Sequence, residues 1–238
     1  MHSLNNILFL DIETVPQYAS YELVPADAKP YWNKKADQMR RDKELDTPDS
    51  MYPRAGIYAE FGKIVCISCG IISGTGEDKK LILKSFCCED EKVILLDFCE
   101  LLKKWSGQDK VLCAHNGKEF DFPYLSRRMV INQIQVPGML QLSGKKPWDI
   151  PHVDTLELWK FGDYKNYTTL NLLAFTFGIP TPKDDIDGSM VWKVYWDDQD
   201  LKRIVTYCQK DVITVAQVYL RMQGEILIKA ENIEIKTA

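Results

Sequence analysis

A continuously apolar run, Ile7 to Leu10, passes without a break into Asp11 and Glu13. Four apolar residues with no polar alternation predict a central strand covered on both faces. Side chains alternate along a strand, so acids two positions apart at its end leave the same face of the sheet. Two carboxylates side by side at the edge of a core repel one another and cannot both stay ionised without a cation between them. A strand covered on both faces is expected of an α/β protein, and the paired acids at its end call for a cation.

Two further segments carry acids of the same kind. Asp121 closes the stretch HNGKEFD, after the apolar strand predicted at Lys110 to His115. A helix is predicted to begin near Asp121 and to run through Tyr124, Leu125 and Met129, with Pro123 tolerated in its first turn. Tyr207 and Asp211, in YCQKD, are four apart, which in a helix stacks a phenol and a carboxylate on one face. That helix is predicted from about Asp198 to Met222, with a buried stripe through Leu201, Ile204, Val205, Cys208, Val212, Val215 and Val218. An Asp/Glu cluster expected to have no Cys or His nearby selects hard, oxygen-loving Mg²⁺ or Mn²⁺. Two such ions about 3.5–4 Å apart can activate water and neutralise the leaving oxygen of an in-line displacement at phosphorus.

The remaining elements follow from periodicity and punctuation. Strands are predicted at Lys63 to Ile72 and Lys80 to Phe86, turned by Gly74 and Gly76. Asp90 caps a helix with Ile94, Phe98, Leu101, Leu102 and Trp105 on its apolar face. His152 to Trp159 reads as a short strand running into a helix, and Thr168 or Thr169 caps Leu170 to Phe177 before Gly178 and Pro180. An acidic loop, Lys183 to Asp187, comes next. Residues 17–60 read as an insertion, helical or a flap, in which Lys29, Lys34, Lys35, Arg40, Arg41 and Lys43 are diluted by Asp37, Asp42 and Glu44. Mixed charge of that kind reads as a solvated face. Strands gather early and helices late, so a mixed sheet flanked by helices in one domain over 1–238 is expected.

Composition excludes several classes. At 238 residues with 45% hydrophobic residues the chain buries a sizeable core and is not disordered. No apolar run is long enough to span a bilayer, and the N-terminus lacks a cationic start, so neither membrane nor secretion is expected. Seven cysteines, an odd number in buried-looking segments, suit a reducing cytoplasm. Cys66 and Cys69 form a C-x-x-C, but a strand would point them to opposite faces, so small core residues are expected rather than a zinc or redox pair. The net charge of −4 does not exclude a phosphate ligand, because two divalent ions would reverse the local field.

Taken in order, DIE at Asp11 to Glu13, N-x3-FD at Asn116 to Asp121 and Y-x3-D at Tyr207 to Asp211 resemble the three motifs of the DEDD 3′–5′ exonuclease superfamily. Tyr207 marks the DEDDy branch, since the position where the histidine branch keeps its histidine is Thr206 here. In particular the chain resembles stand-alone bacterial exonucleases related to the proofreading domain of family-B DNA polymerases. The likeness runs through FLDIETVP, AEFGKIVCIS, AHNGKEFDFPYL and IVTYCQKDV. The resemblance implies a ribonuclease H-like fold with a central five-stranded mixed sheet, and removal of nucleoside 5′-monophosphates from 3′ ends. It further implies that Asp11, Glu13 and Asp211 hold the ion that activates water, that Asp11 and Asp121 hold the second, and that Tyr207 orients the water.

Single-stranded DNA or RNA 3′ ends are the expected ligands, with replication or repair proteins as protein partners. An RNA-processing exoribonuclease and a binding module that keeps the fold without turnover are the alternatives. Thr14 can offer its backbone N–H to the terminal hydroxyl, and Asn116 either touches the terminal nucleotide or forms the turn. His115 is read as structural, Asp154 as a helix cap, and Trp192, Tyr195 and Trp196 as packing rather than base-stacking residues.

Overall fold

The structure, a computed structural model, describes residues 2–42, 44–163, 165, 167–180 and 186–236. Lys43 and the Lys183 to Asp185 part of the acidic loop lie outside the described residues. Strand β1, Ile7–Pro16, continues past the apolar run, so Asp11 and Glu13 sit inside it rather than at its end. The insertion carries helix α1, Lys29–Met39, and a 3₁₀ turn, Tyr52–Ile57. Strands β2, Gly62–Ser73, and β3, Lys80–Cys87, follow, then α2, Glu91–Lys104, and β4, Val111–Ala114. Helix α3 spans Asp121–Ile131 and β5 only Val153–Asp154. Helices α4, Thr155–Lys160, α5, Leu170–Thr176, α6, Val191–Trp196, and α7, Leu201–Met222, precede β6, Ile233–Lys236.

The strands are ordered β5-β4-β1-β2-β3-β6, and β2 is the one that runs against the others. This order, with β2 alone reversed and helices on both faces, fits the ribonuclease H-like arrangement that the resemblance implies, with six strands among the described residues rather than five. The addition is β6, whose short IEIK sequence pairs in parallel with β3 at the sheet edge. Its two charges in four residues hid it from a reading based on apolar runs.

Alternation along β1 divides the core. Leu8, Leu10 and Ile12 point to one face, against Phe98 and Leu102 of α2 and Leu125 and Met129 of α3. Ile7 and Phe9 point to the other, against Val212, Val215 and Tyr219 of α7, with the Phe9 and Tyr219 rings edge to face at 5.7 Å. Each such fully buried side chain contributes roughly 1.5–3 kcal/mol. Cys66 and Cys69 fall on opposite faces of β2, as the strand period requires, and all seven cysteines are free. No helix among the described residues is long and apolar enough to cross a membrane.

The insertion folds over a small core of its own, built from Val24, Trp32, Ala36, Met51, Tyr52 and Ala55. Buried Trp32 donates its indole N–H to the Pro48 carbonyl at 2.7 Å and meets Tyr52 and Phe61 edge on. A buried ion pair ties the main sheet together beside it. Arg128 of α3 donates from Nε to Glu91 of α2 at 2.8 Å and from Nη1 to the Ala59 carbonyl at 2.8 Å, while Glu91 also accepts from the Ile64 N–H at 2.7 Å.

Candidate active site

The β1 period that puts Ile7 and Phe9 under α7 carries Asp11 and Glu13 to the same face. Helix α7 is capped by Asp200, which accepts from the Arg203 N–H, and its apolar stripe locks it across the sheet. One turn before Val212 that stripe presents Cys208, with Tyr207 and Asp211 beside it. The carboxylates of Asp11 and Glu13 and the Cys208 sulfur lie within 4.8 Å of one another, and the Cys208 thiol donates to the Asp11 carbonyl at 3.4 Å. Opposite Glu13 and Thr14 the pairing of β1 with β2 slips, Glu13 facing Cys66 and Thr14 facing Ile64. Such a bulge bends the strand end and re-aims its side chains.

Asp121 arrives from the strand edge rather than from a face. β4 pairs with β1 only as far as Phe9 opposite Cys113, so the β1 edge beyond it is open on that side. Asp121 opens α3, and the backbone amides of Ile12 and of Asp121 itself lower its carboxyl against the rise that burial imposes. Asp154 shapes the loop that delivers it. Its carboxylate, 3% exposed, accepts from the Asn116 N–H at 2.9 Å and the Lys118 N–H at 3.0 Å, and it also caps α4 through Leu156 at 2.9 Å. The helix-cap reading of Asp154 is therefore half of its role; holding the Asn116–Lys118 loop is the other half.

Asn116 sits in the left-handed region, φ 62°, and its carbonyl accepts from Glu119 and Phe120, so its backbone makes the turn. Thr14 lines the cleft. His115 is structural, Nδ1 lying 2.9 Å from Thr155 Oγ1 and Nε2 2.9 Å from the Thr168 carbonyl. Of the three aromatics on α6, Trp192 lines the cleft, Trp196 donates to the Pro16 carbonyl at 3.1 Å and Tyr195 accepts from Lys63 at 2.9 Å.

Burial governs the charge state. It pushes Asp11 well above the carboxylate range, with Glu13, Asp211 and Asp121 raising it further, and it lifts Glu13 in the same way, helped by Asp211. Asp121 is pushed up to about 7, mainly by burial and then by the Asp154 charge, against the lowering of two backbone amides. Burial, then the charges of Asp211, Glu13 and Asp11, raise the Tyr207 phenol far above its usual range. Among the described residues, the leading influences on Asp11, Glu13 and Asp121 are burial and other acids, with no Lys or Arg. Desolvated carboxylate oxygens crowded together are a fitting donor set for hard divalent cations, and the Cys208 sulfur, which the sequence did not place beside them, is the one soft atom in the group.

The cleft over Asp11, Glu13 and Asp211 has a volume of about 460 Å³, and Asp121 lies buried behind its lining. Its far wall comes from the insertion, through Pro53, Arg54, Gly56 and Ile57. Sequence reading did not assign these residues to the site, because only the packing of the insertion against the end of β1 brings them there.

The family model describing predicted 3′–5′ exonucleases related to the exonuclease domain of PolB matches residues 57–235. The matched stretch contains Asp121, Tyr207 and Asp211 and begins after Asp11 and Glu13, which the geometry above adds to the group. No curated protein sequence matches. Among solved structures, the family B DNA polymerase of the hyperthermophilic archaeon Pyrobaculum calidifontis is similar over 93% of this chain and 26% of its own, at 17% identity and a TM-score of 0.47. The chain thus spans about a quarter of that polymerase's length. With three-quarters of its residues inside the match, the chain belongs to the family of predicted 3′–5′ exonucleases related to the exonuclease domain of PolB.

Proposed function

We propose that the cleft removes nucleotides one at a time from the 3′ end of single-stranded nucleic acid, DNA in preference to RNA, and releases nucleoside 5′-monophosphates. One observation carries the reading: Asp11, Glu13, Asp121 and Asp211, from three separated segments, act on one another in a single buried neighbourhood. Asp11, Glu13 and Asp211 would hold one Mg²⁺ or Mn²⁺ ion, and Asp11 and Asp121 a second. Such ions, when bound, make water nucleophilic at neutral pH and offset the charge on the phosphate and the leaving oxygen.

The chain's own groups supply the positioning. Because the Tyr207 phenol stays protonated and lies one helical turn from Asp211, its hydrogen can face that carboxylate while its oxygen lone pairs accept from the attacking water. That contact turns a water lone pair toward phosphorus, which is worth more than proton abstraction by a group with so high a pKa. As the water oxygen bonds to phosphorus, the bond to the 3′ oxygen of the preceding nucleotide breaks, leaving a new 3′-hydroxyl on the strand. The Thr14 amide, at the bulge, meets the terminal 3′-hydroxyl. Trp192 gives the terminal base an apolar wall.

The test is digestion of 5′-labelled oligonucleotides with Mg²⁺ or Mn²⁺. Stepwise shortening, inhibition by a 3′-phosphate, slower cleavage of the matched ribo-oligomer and loss of activity in Asp11→Ala are expected. Equal behaviour of wild type and Asp11→Ala would end the proposal.

A further inference from the structure

Arg54 is the one cation among the described residues that line the carboxylate cleft. Its side chain is exposed, and no hydrogen bond or ion pair among the described residues engages the guanidinium; it only lowers the Asp46 carboxyl from a distance. The backbone beneath it is fixed. Ala55 next to it is fully buried, and the Gly56 carbonyl accepts from the Tyr124 phenol at 2.7 Å. A Cβ on Gly56 would stand 2.9 Å from the Val15 carbonyl carbon, so the 3₁₀ turn lies directly on the β1 backbone, beyond Glu13. Ile57, 49% exposed, lines the same wall. An unengaged guanidinium beside an apolar side chain, held on a rigid turn at the rim of an acidic cleft, repels nothing that is anionic and gives phosphate a planar fork.

We propose that this insertion turn is a strand-docking element: Arg54 holds a backbone phosphate upstream of the bond to be cut, and Ile57 packs on the adjoining nucleotide. The inference rests on reading the cleft as a nuclease site. Exposure decides which phosphate is held. The bond to be cut lies over the buried acids, whereas a guanidinium in solvent sits at the rim, where it affects capture of the strand and not the reacting atoms. The insertion thereby gains a purpose that its mixed charge concealed.

The test measures binding of a fluorescent single-stranded oligonucleotide by anisotropy from 50 to 200 mM salt, on an Asp211→Asn background that does not digest it. Loss of one phosphate contact removes about 0.7 from the slope of log affinity against log salt, which is about fivefold in affinity near 0.1 M. Arg54→Ala should show that loss, Arg54→Lys should recover most of it, and Arg41→Ala, which removes an exposed cation of the same insertion away from the cleft, should not. With Asp211 intact, Arg54→Ala should raise KM by a similar factor and keep kcat. An unchanged slope and KM in Arg54→Ala, an equal loss in Arg41→Ala, or a fall in kcat alone would overturn the proposal. Wild-type protein that binds the oligonucleotide but never shortens it would refute the nuclease reading and leave the docking role standing if the Arg54 slope changes; protein that neither binds nor cuts would refute both.

Discussion

Asp154→Ala tests whether one buried carboxylate holds the site together. Four backbone N–H groups point at it, those of Asn116, Lys118, Leu156 and Glu157, at 2.9, 3.0, 2.9 and 3.4 Å. Loss of the α4 cap costs about 1 kcal/mol. The two loop amides are part-buried, so water reaches them incompletely and each costs about 1 kcal/mol, the low end for an orphaned donor. The sum is about 3 kcal/mol, or roughly 6–12 °C in Tm for a chain of this size. Asp154→Asn keeps the Oδ1 contacts but turns an amide N–H toward the Lys118 N–H, so it should cost about 1 kcal/mol, a third as much. Urea unfolding followed by circular dichroism gives both values. At a temperature where both variants are folded, Asp154→Ala should also lose exonuclease activity, because the loop it releases leads directly into Asp121. If Asp154→Ala unfolds at the wild-type urea concentration, or if Asn proves as damaging as Ala, the reasoning is refuted.

Three further outcomes follow from the same structure. Asp11→Asn removes one of several like charges from a desolvated cluster, so in EDTA it should raise Tm while abolishing activity, and Mn²⁺ should raise the Tm of wild type much more than that of the variant; scanning calorimetry with and without metal checks this. Burial raises Asp121 from 3.8 to about 7, so folding favours its protonated form: its contribution in metal-free protein is complete below about pH 4 and is lost as pH rises through 7. His152, pushed down from 6.5 to about 4 by burial, acts in the opposite sense and loses its contribution as pH falls toward 4, so the Asp121 effect should be read as the difference between wild-type and Asp121→Asn stability profiles; a flat difference between pH 4 and 7 would contradict it. Gly56→Ala forces a methyl to within 2.9 Å of the Val15 backbone and should cost roughly 1–3 kcal/mol in urea unfolding, together with weaker oligonucleotide binding as Arg54 is displaced.

What the sequence made legible was whatever local period and capping determine. The apolar run of β1, the two-residue alternation that pairs Asp11 with Glu13, the Asp90 and Thr169 caps and the α7 stripe all appear where local physics puts them. The run VWKVYW at Val191–Trp196 was not read as a helix, because its six β-branched and aromatic-rich residues suit a strand as well, and packing of Val191 and Val194 beside Ile204 and Cys208 decides the matter. Equally hidden were Asp154 as a loop organiser and Arg54 as a cleft residue. The loop amides that Asp154 accepts from lie 36 and 38 positions away, and Arg54 comes to the cleft rim only because glycine at 56 lets two backbones touch. Contacts of that range leave no trace in a window of ten residues.

The location of the acids also has a topological cause. A fully paired β1 would spend the Ile12 amide in the ladder with β4, and a side chain on the neighbouring helix could not reach past the edge to meet Asp11. Because β4 stops at Ala114 while β1 runs on to Pro16, the unpaired edge supplies both the space and an N–H donor for Asp121. α7 covers the same stretch from above, so the acids of two elements close over it from the face and from the edge. Lengthening β4 by three ladder pairs, which would bring Asn116 opposite Ile12, should therefore damage the site while stabilising the sheet. The incomplete pairing is then the structural condition for assembling four carboxylates from segments that have no local reason to meet.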